Sequence, residues 1–127
     1  MDADSATGLV FGSAGGATFN GAEVTAQTWN RELALEFGRL LGNDALLGAG
    51  TVGWYCPATN IHRTPYSGRN FEYYSEDPFI SGKTCAAETA GIQSKGVYVY
   101  NKHFVLNDQE NNRAGIGTWC NEQALRG

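Results

Sequence analysis

Apolar side chains recur at Leu33, Phe37, Leu40 and Leu41, at i, i+4, i+7 and i+8, the spacing that places them on one stripe of an α-helix. Asn30 stands ahead of them as a good N-cap and Glu32 lies in the first turn, which predicts an amphipathic helix over about residues 31–46. Residues 52–59 are a short, mostly apolar run, Val-Gly-Trp-Tyr-Cys-Pro-Ala-Thr, and suit a buried strand despite the proline. The polar, irregular stretch that follows reads as a long loop at that strand's end. Asp77-Pro78 then supplies an N-cap and a first-turn proline for a helix to about Lys95. Cys85, Ala86, Ala87, Ala90 and Gly91 make this helix narrow enough to lie close to a sheet, and Gly96 is a natural cap at its end. Residues 97–104 read as a second strand and residues 118–126 as the start of another helix. Residues 1–22, rich in Gly, Ala and Ser with only Leu9-Val10-Phe11 as an apolar run, read as a loop that follows or replaces a first strand.

Strand, loop, helix, strand, loop, helix is the pattern of parallel β/α units, an α/β fold whose sites lie where strands finish. The 127 residues allow one modest domain, residues 1–127. A net charge of −4 without a basic cluster argues against nucleic acid or an anionic membrane as the main partner. No apolar run approaches the roughly 20 residues of a membrane helix. Cys56, Cys85 and Cys120 are an odd number without CxxC spacing, which suggests neither a disulfide framework nor a zinc site; no metal or cofactor is implied. Met1 is followed by Asp2-Ala3-Asp4, not by a basic and then apolar stretch, so a cytoplasmic chain is expected.

The densest chemistry lies in residues 60–78, where two arginines, one histidine, three carboxylates and four aromatic rings share nineteen positions. Guanidinium groups and carboxylates suit hydroxyls, and rings suit the C–H faces of sugars, so this composition fits a polyhydroxylated ligand. A second stretch, Lys102 to Glu110, begins where an apolar run stops at a cation and an imidazole. Lys102 follows mostly apolar or aromatic residues, and an ammonium there needs a polar cavity or a partner. On the residues alone, Arg69 reads as a loop tie to Glu72 or Glu76, and His103 and His62 as packing residues. Arg63, Glu72, Glu76 and Asp77 read as scaffolding, and the tyrosines and Trp54 as mostly core. Adjacent Glu76 and Asp77 rarely face a common bond and are rejected as an acid pair.

Both stretches resemble glycoside hydrolase family 3, the family of β-glucosidases and related exo-acting enzymes. Residues 60–78 are similar to its NIHRxPxxGRNFEYYSEDP segment, Lys102-His103-Phe104 to its KHF motif, and Asn107 to Arg113 to its NDQExNR motif. The resemblance covers residues 23–126 well, including Thr28-Trp29-Asn30 and Asn121-Glu122-Gln123-Ala124, and the first 22 poorly. It implies a partial TIM barrel, about the first half of a (β/α)8 domain. It implies substrate-binding roles for Arg69, Lys102 and His103, which would grip the non-reducing sugar of a β-glucoside.

The resemblance also makes Asp4 the candidate for the aspartate of a DGPxGLR motif, with Asp2 as the alternative; Val10 stands where that motif has arginine. Retaining glycoside hydrolysis needs a nucleophile and an acid/base. In the family these lie in later motifs, so no catalytic residue is expected within this chain, which alone would be inactive. Phe104-Val105-Leu106-Asn107 without a later histidine departs from the KHFPGHG of the N-acetylglucosaminidase branch and favours the β-glucosidase type. The alternative is a non-catalytic half-barrel. Either way open strand edges and an uncovered apolar face predict self-association or a complementing chain.

Overall fold

The computed structural model describes residues 2–8 and 16–126. The apolar run at residues 9–11, with Val10, and the terminal Gly127 lie outside the described residues. Three short strands, β1 (Asp2–Asp4), β2 (Gly53–Tyr55) and β3 (Tyr98–Val99), form a parallel sheet in chain order. Ala3 lies opposite Trp54, and Trp54 opposite Val99. Helices α1 (Ala22–Gln27) and α2 (Arg31–Ala49) connect β1 to β2, and α3 (Pro78–Gln93) connects β2 to β3. A short helix, α4 (Glu122–Arg126), follows a long irregular segment after β3.

The two long helices begin where their caps dictate. The Asn30 side chain accepts a hydrogen bond from the Leu33 amide, and Asp77 accepts from the amides of Phe79 and Ile80, with Pro78 behind it. Alternation along the strands separates two faces of the sheet. Trp54, Cys56 and Val97 are buried against Leu41 and Ala45 of α2 and Ile92 of α3, with Ala3 and Val99 packed alongside. Asp4, Tyr55, Tyr98 and Tyr100 belong to the other face, where Tyr98 is 70% exposed.

Five expectations need correcting. β2 covers Gly53–Tyr55, not residues 52–59. The first strand is Asp2–Asp4, within the stretch read as a loop, and α1 was not anticipated. On α2, Leu33 and Leu40 are about half exposed; the buried positions are Ala34, Gly38, Leu41, Gly42 and Ala45. The reason is the distance between helices. A Cβ on Gly38 would sit 2.1 Å from the Glu88 carbonyl oxygen, and one on Gly91 would sit 2.2 Å from that of Leu35, so α2 and α3 meet backbone to backbone. β3 is two residues long, not eight, because the chain after Tyr100 leaves the sheet to bond with the loop beyond β2. Regular helix at the end begins at Glu122, not at residue 118.

Candidate functional site

The loop after β2 and the segment after β3 are tied to one another. The amides of Thr59 and Asn60 both donate to the His103 carbonyl, at 3.0 and 2.8 Å, and the Lys102 amide donates to the Pro57 carbonyl at 3.2 Å. Asn60, 2% exposed, completes the tie: its Nδ2 donates to the Asp108 carboxylate at 3.3 Å and its Oδ1 accepts from the Asn107 amide at 2.8 Å. His62 holds the first loop in shape. Its Nε2 lies 3.0 Å from the Asn70 carbonyl and 2.9 Å from that of Tyr73, so it donates to both.

This scaffold brings Arg69 and His103 together, with Arg69 Nη1 3.3 Å from His103 Nε2. Arg69 also forms an ion pair with Glu72, its partner of the two carboxylates considered, and lies 3.8 Å from Glu110 Oε1. It is thus both a loop tie and a neighbour of His103. On its other side His103 Nδ1 is 3.0 Å from the Tyr73 hydroxyl and 3.2 Å from Asn107 Nδ2. Burial, and then the Arg69 charge, lower the His103 pKa below its ordinary value, so the imidazole is neutral at pH 7. Tyr73 is fully buried.

Lys102, joined to His103 by a cis peptide bond, forms an ion pair with Asp4 at the end of β1. Its ammonium also stands 5.8 Å from the centroid of the Tyr55 ring, which stacks on Tyr100 at 4.8 Å. Asp2 lies elsewhere, its carboxylate 3.5 Å from the Tyr55 hydroxyl, so Asp4 is the aspartate that meets Lys102. The four expected residues therefore form two contacts, Arg69 with His103 and Lys102 with Asp4, joined through consecutive residues.

Guanidinium, imidazole, ammonium and carboxylate at neighbouring strand ends can hold several hydroxyls at once. Glu72 and Glu110 are both engaged by arginine. A hollow of about 780 Å³ lies apart from these groups, lined by Thr59, Arg63, Phe104, Leu106 and Leu125 among others, and none of the four lines it. All four residues are partly exposed at the ends of the described strands. Sequence reasoning missed Tyr73, Asn107 and Glu110 as neighbours of the site. The signal was present for two of them: Asn107 and Glu110 belong to the polar run 107–113, which follows Lys102-His103-Phe104 after two apolar residues.

Residues 1–125 match the model of the glycosyl hydrolase family 3 N terminal domain. Beta-glucosidase A of Butyrivibrio fibrisolvens is 46% identical over 103 residues, 81% of this chain and 12% of that protein. A beta-glucosidase of Ruminococcus albus is 45% identical over 114 residues, 84% of this chain and 11% of that protein. Among solved structures, beta-glucosidase 3B from Thermotoga neapolitana in complex with alpha-D-glucose superimposes with a TM-score of 0.80 at 41% identity, over 86% of this chain and 16% of its own. A beta-glucosidase from Paenibacillus barengoltzii gives 0.88 at 35% identity, over 98% of this chain and 14% of its own. The chain thus spans about one eighth of the length of these relatives. Parallel β/α units in chain order, with the Arg69 and Lys102-His103 segments at their ends, are the opening part of a TIM barrel, and the chain belongs to glycosyl hydrolase family 3.

Proposed function

We propose that this chain supplies the sugar-holding part of a retaining β-glucosidase that removes terminal non-reducing β-D-glucosyl residues. Arg69, Lys102 and His103 donate to the hydroxyls of the bound glucosyl unit, and Asp4 accepts from them. The observation that carries this reading is the joined pair of contacts, Arg69 with His103 and Lys102 with Asp4, at the ends of parallel strands. Kinship with beta-glucosidases, one of them solved with glucose, supports the choice of sugar. Nucleophile and acid/base are supplied from outside residues 1–127, because positioning groups alone assist neither bond change at the anomeric carbon.

The test has two arms. Titration of the 127-residue chain with glucose, followed by amide chemical shifts, is expected to show weak saturable changes at residues 69 and 102–103 that vanish in Lys102→Ala. The same chain is expected to leave an aryl β-glucoside unhydrolysed, while a chain extended through the relatives' remaining barrel turns it over. Turnover by the short chain that disappears in Glu76→Gln or Asp108→Asn would overturn the reading.

A second reading, a half-barrel that pairs with itself or with another chain, is favoured by the uncovered sheet face, where Tyr98 and Tyr100 are 70% and 45% exposed. Sedimentation at micromolar concentration separates the two, since a monomer that unfolds cooperatively excludes self-pairing.

A further inference from the structure

His103 has one ring nitrogen on each side of a polar divide. Nε2 faces the Arg69 guanidinium at 3.3 Å, and Nδ1 faces the Tyr73 hydroxyl at 3.0 Å and Asn107 Nδ2 at 3.2 Å. A neutral imidazole carries its proton on one nitrogen only, and what the other nitrogen bonds to decides which. The chain of partners behind Nδ1 makes that decision. It begins at Glu110, a carboxylate and so only an acceptor, whose Oε1 lies 3.1 Å from Asn107 Nδ2 while Oε2 accepts from Arg113 at 3.0 Å. An amide oxygen turned toward Glu110 would be repelled, so the Asn107 amide is held with its NH2 group on that side. The same NH2 group reaches the Tyr73 hydroxyl oxygen at 2.5 Å. Having accepted there, Tyr73 directs its own proton to its remaining neighbour, His103 Nδ1.

We propose that Glu110, Asn107 and Tyr73 are positioning residues that fix His103 with its proton on Nε2. The inference deepens the sugar-holding reading above and rests on it for what the site holds. Its consequence is specific. Nε2–H and the Arg69 N–H groups are then both donors turned toward one another, and neither can satisfy its neighbour. An oxygen that accepts from both, such as one hydroxyl of a glucosyl unit, completes the arrangement. With the proton on Nδ1 the ring would instead accept from Arg69, and the two groups would close on each other.

The state of the ring can be read without any ligand. The chain contains two histidines, and His62, whose Nε2 donates to two carbonyls, serves as an internal reference for the same tautomer. Long-range proton–nitrogen correlation spectra of the ¹⁵N-labelled 127-residue chain at pH 8, with His103 assigned through His103→Asn, are expected to show Nδ1 at a pyridine-type shift and Nε2 at a pyrrole-type shift. In Asn107→Asp the donor behind Nδ1 becomes an acceptor. The Tyr73 proton then turns to the new carboxylate, and His103 Nδ1 loses its pyridine-type shift while His62 keeps its pattern.

A pyrrole-type Nδ1 in the unmodified chain overturns the proposal, and so does an unchanged His103 in a folded Asn107→Asp variant. Should that variant fail to fold, the unmodified chain decides alone. Because no sugar is present, failure of glucose to bind would count against the proposed function and leave the tautomer result standing.

Discussion

Replacing Glu88 by glutamine is expected to remove a loss of stability that the chain suffers as pH rises toward 7. Glu88 lies on α3 at 2% exposure, and its carboxylate accepts a hydrogen bond from the Tyr74 hydroxyl at 2.5 Å. Burial pushes its pKa from an ordinary 4.5 up to about 7, against the opposing help of the Tyr74 bond. Between those two values the folded protein keeps a proton that the unfolded chain releases. The associated stability is therefore present at low pH and is lost as pH rises toward 7. At about 1.4 kcal/mol per pH unit, the loss amounts to about 3 kcal/mol, a large part of the 5–15 kcal/mol typical of a domain.

Glutamine cannot ionise and keeps the shape and the acceptor, but its NH2 group lacks a partner at a cost of about 1–2 kcal/mol. The variant should thus be less stable than the unmodified chain at pH 5 and more stable at pH 8 by about 1–2 kcal/mol, with the curves crossing between. Urea unfolding followed by the fluorescence of buried Trp54 reads this directly. His103, whose pKa is lowered, loses stability in the opposite direction as pH falls below about 6.5, so the difference between variant and unmodified chain is the quantity to compare. A variant less stable at every pH from 5 to 8 would refute the reasoning.

The helix contacts allow a matched pair of tests on α3. Gly91→Ala places a methyl group 2.2 Å from the Leu35 carbonyl oxygen, and overpacking of about 1–3 kcal/mol should exceed the roughly 1 kcal/mol gained in helix propensity; Gly82→Ala meets nothing within 4 Å and should stabilise by about 0.5–1 kcal/mol. Opposite shifts in Tm are expected, and a stabilising Gly91→Ala would show that α2 and α3 are not in backbone contact. Asp77→Ala removes the cap of α3 and should cost about 1 kcal/mol in urea unfolding, most of it recovered in Asp77→Ser. A loss equal in both variants would mean that the carboxylate charge, not the cap, mattered.

The starts of both long helices were legible because a cap is a local device: Asn30 and Asp77 carry their signal in single residues. The buried face of α2 was legible only in part: Leu41 and Phe37 of the stripe do face the core, while Leu33 and Leu40 do not, because the close approach to α3 is made at Gly38, which carries little hydrophobic weight. β1 escaped notice because it is three residues long with aspartate at both ends, and its pairing with β2 is a matter of partners far along the chain. At the site only Lys102 stood out by its surroundings, a charge after an apolar run; Arg69 and His103 read as a loop tie and a packing residue, and it was the family resemblance that singled them out. Tyr73 read as core, which it is by burial; that its hydroxyl meets His103 depends on how the two loops cross, which no local pattern records.

Asn60 bonds across from one site loop to the other, and the backbone of Thr59 and Asn60 hangs on the carbonyl of His103. The two loops are consequently one inheritable piece. Transplanting residues 59–77 alone into another barrel would leave the amides of Thr59 and Asn60 without their acceptor and Arg69 without His103. A graft that carries residues 100–113 as well would bring its own geometry with it. Directed diversification faces the same rule: residue 60 has to be varied jointly with residues 107–108, because Asn60 bonds to both, whereas the exposed loop tip at Tyr66 can be varied alone.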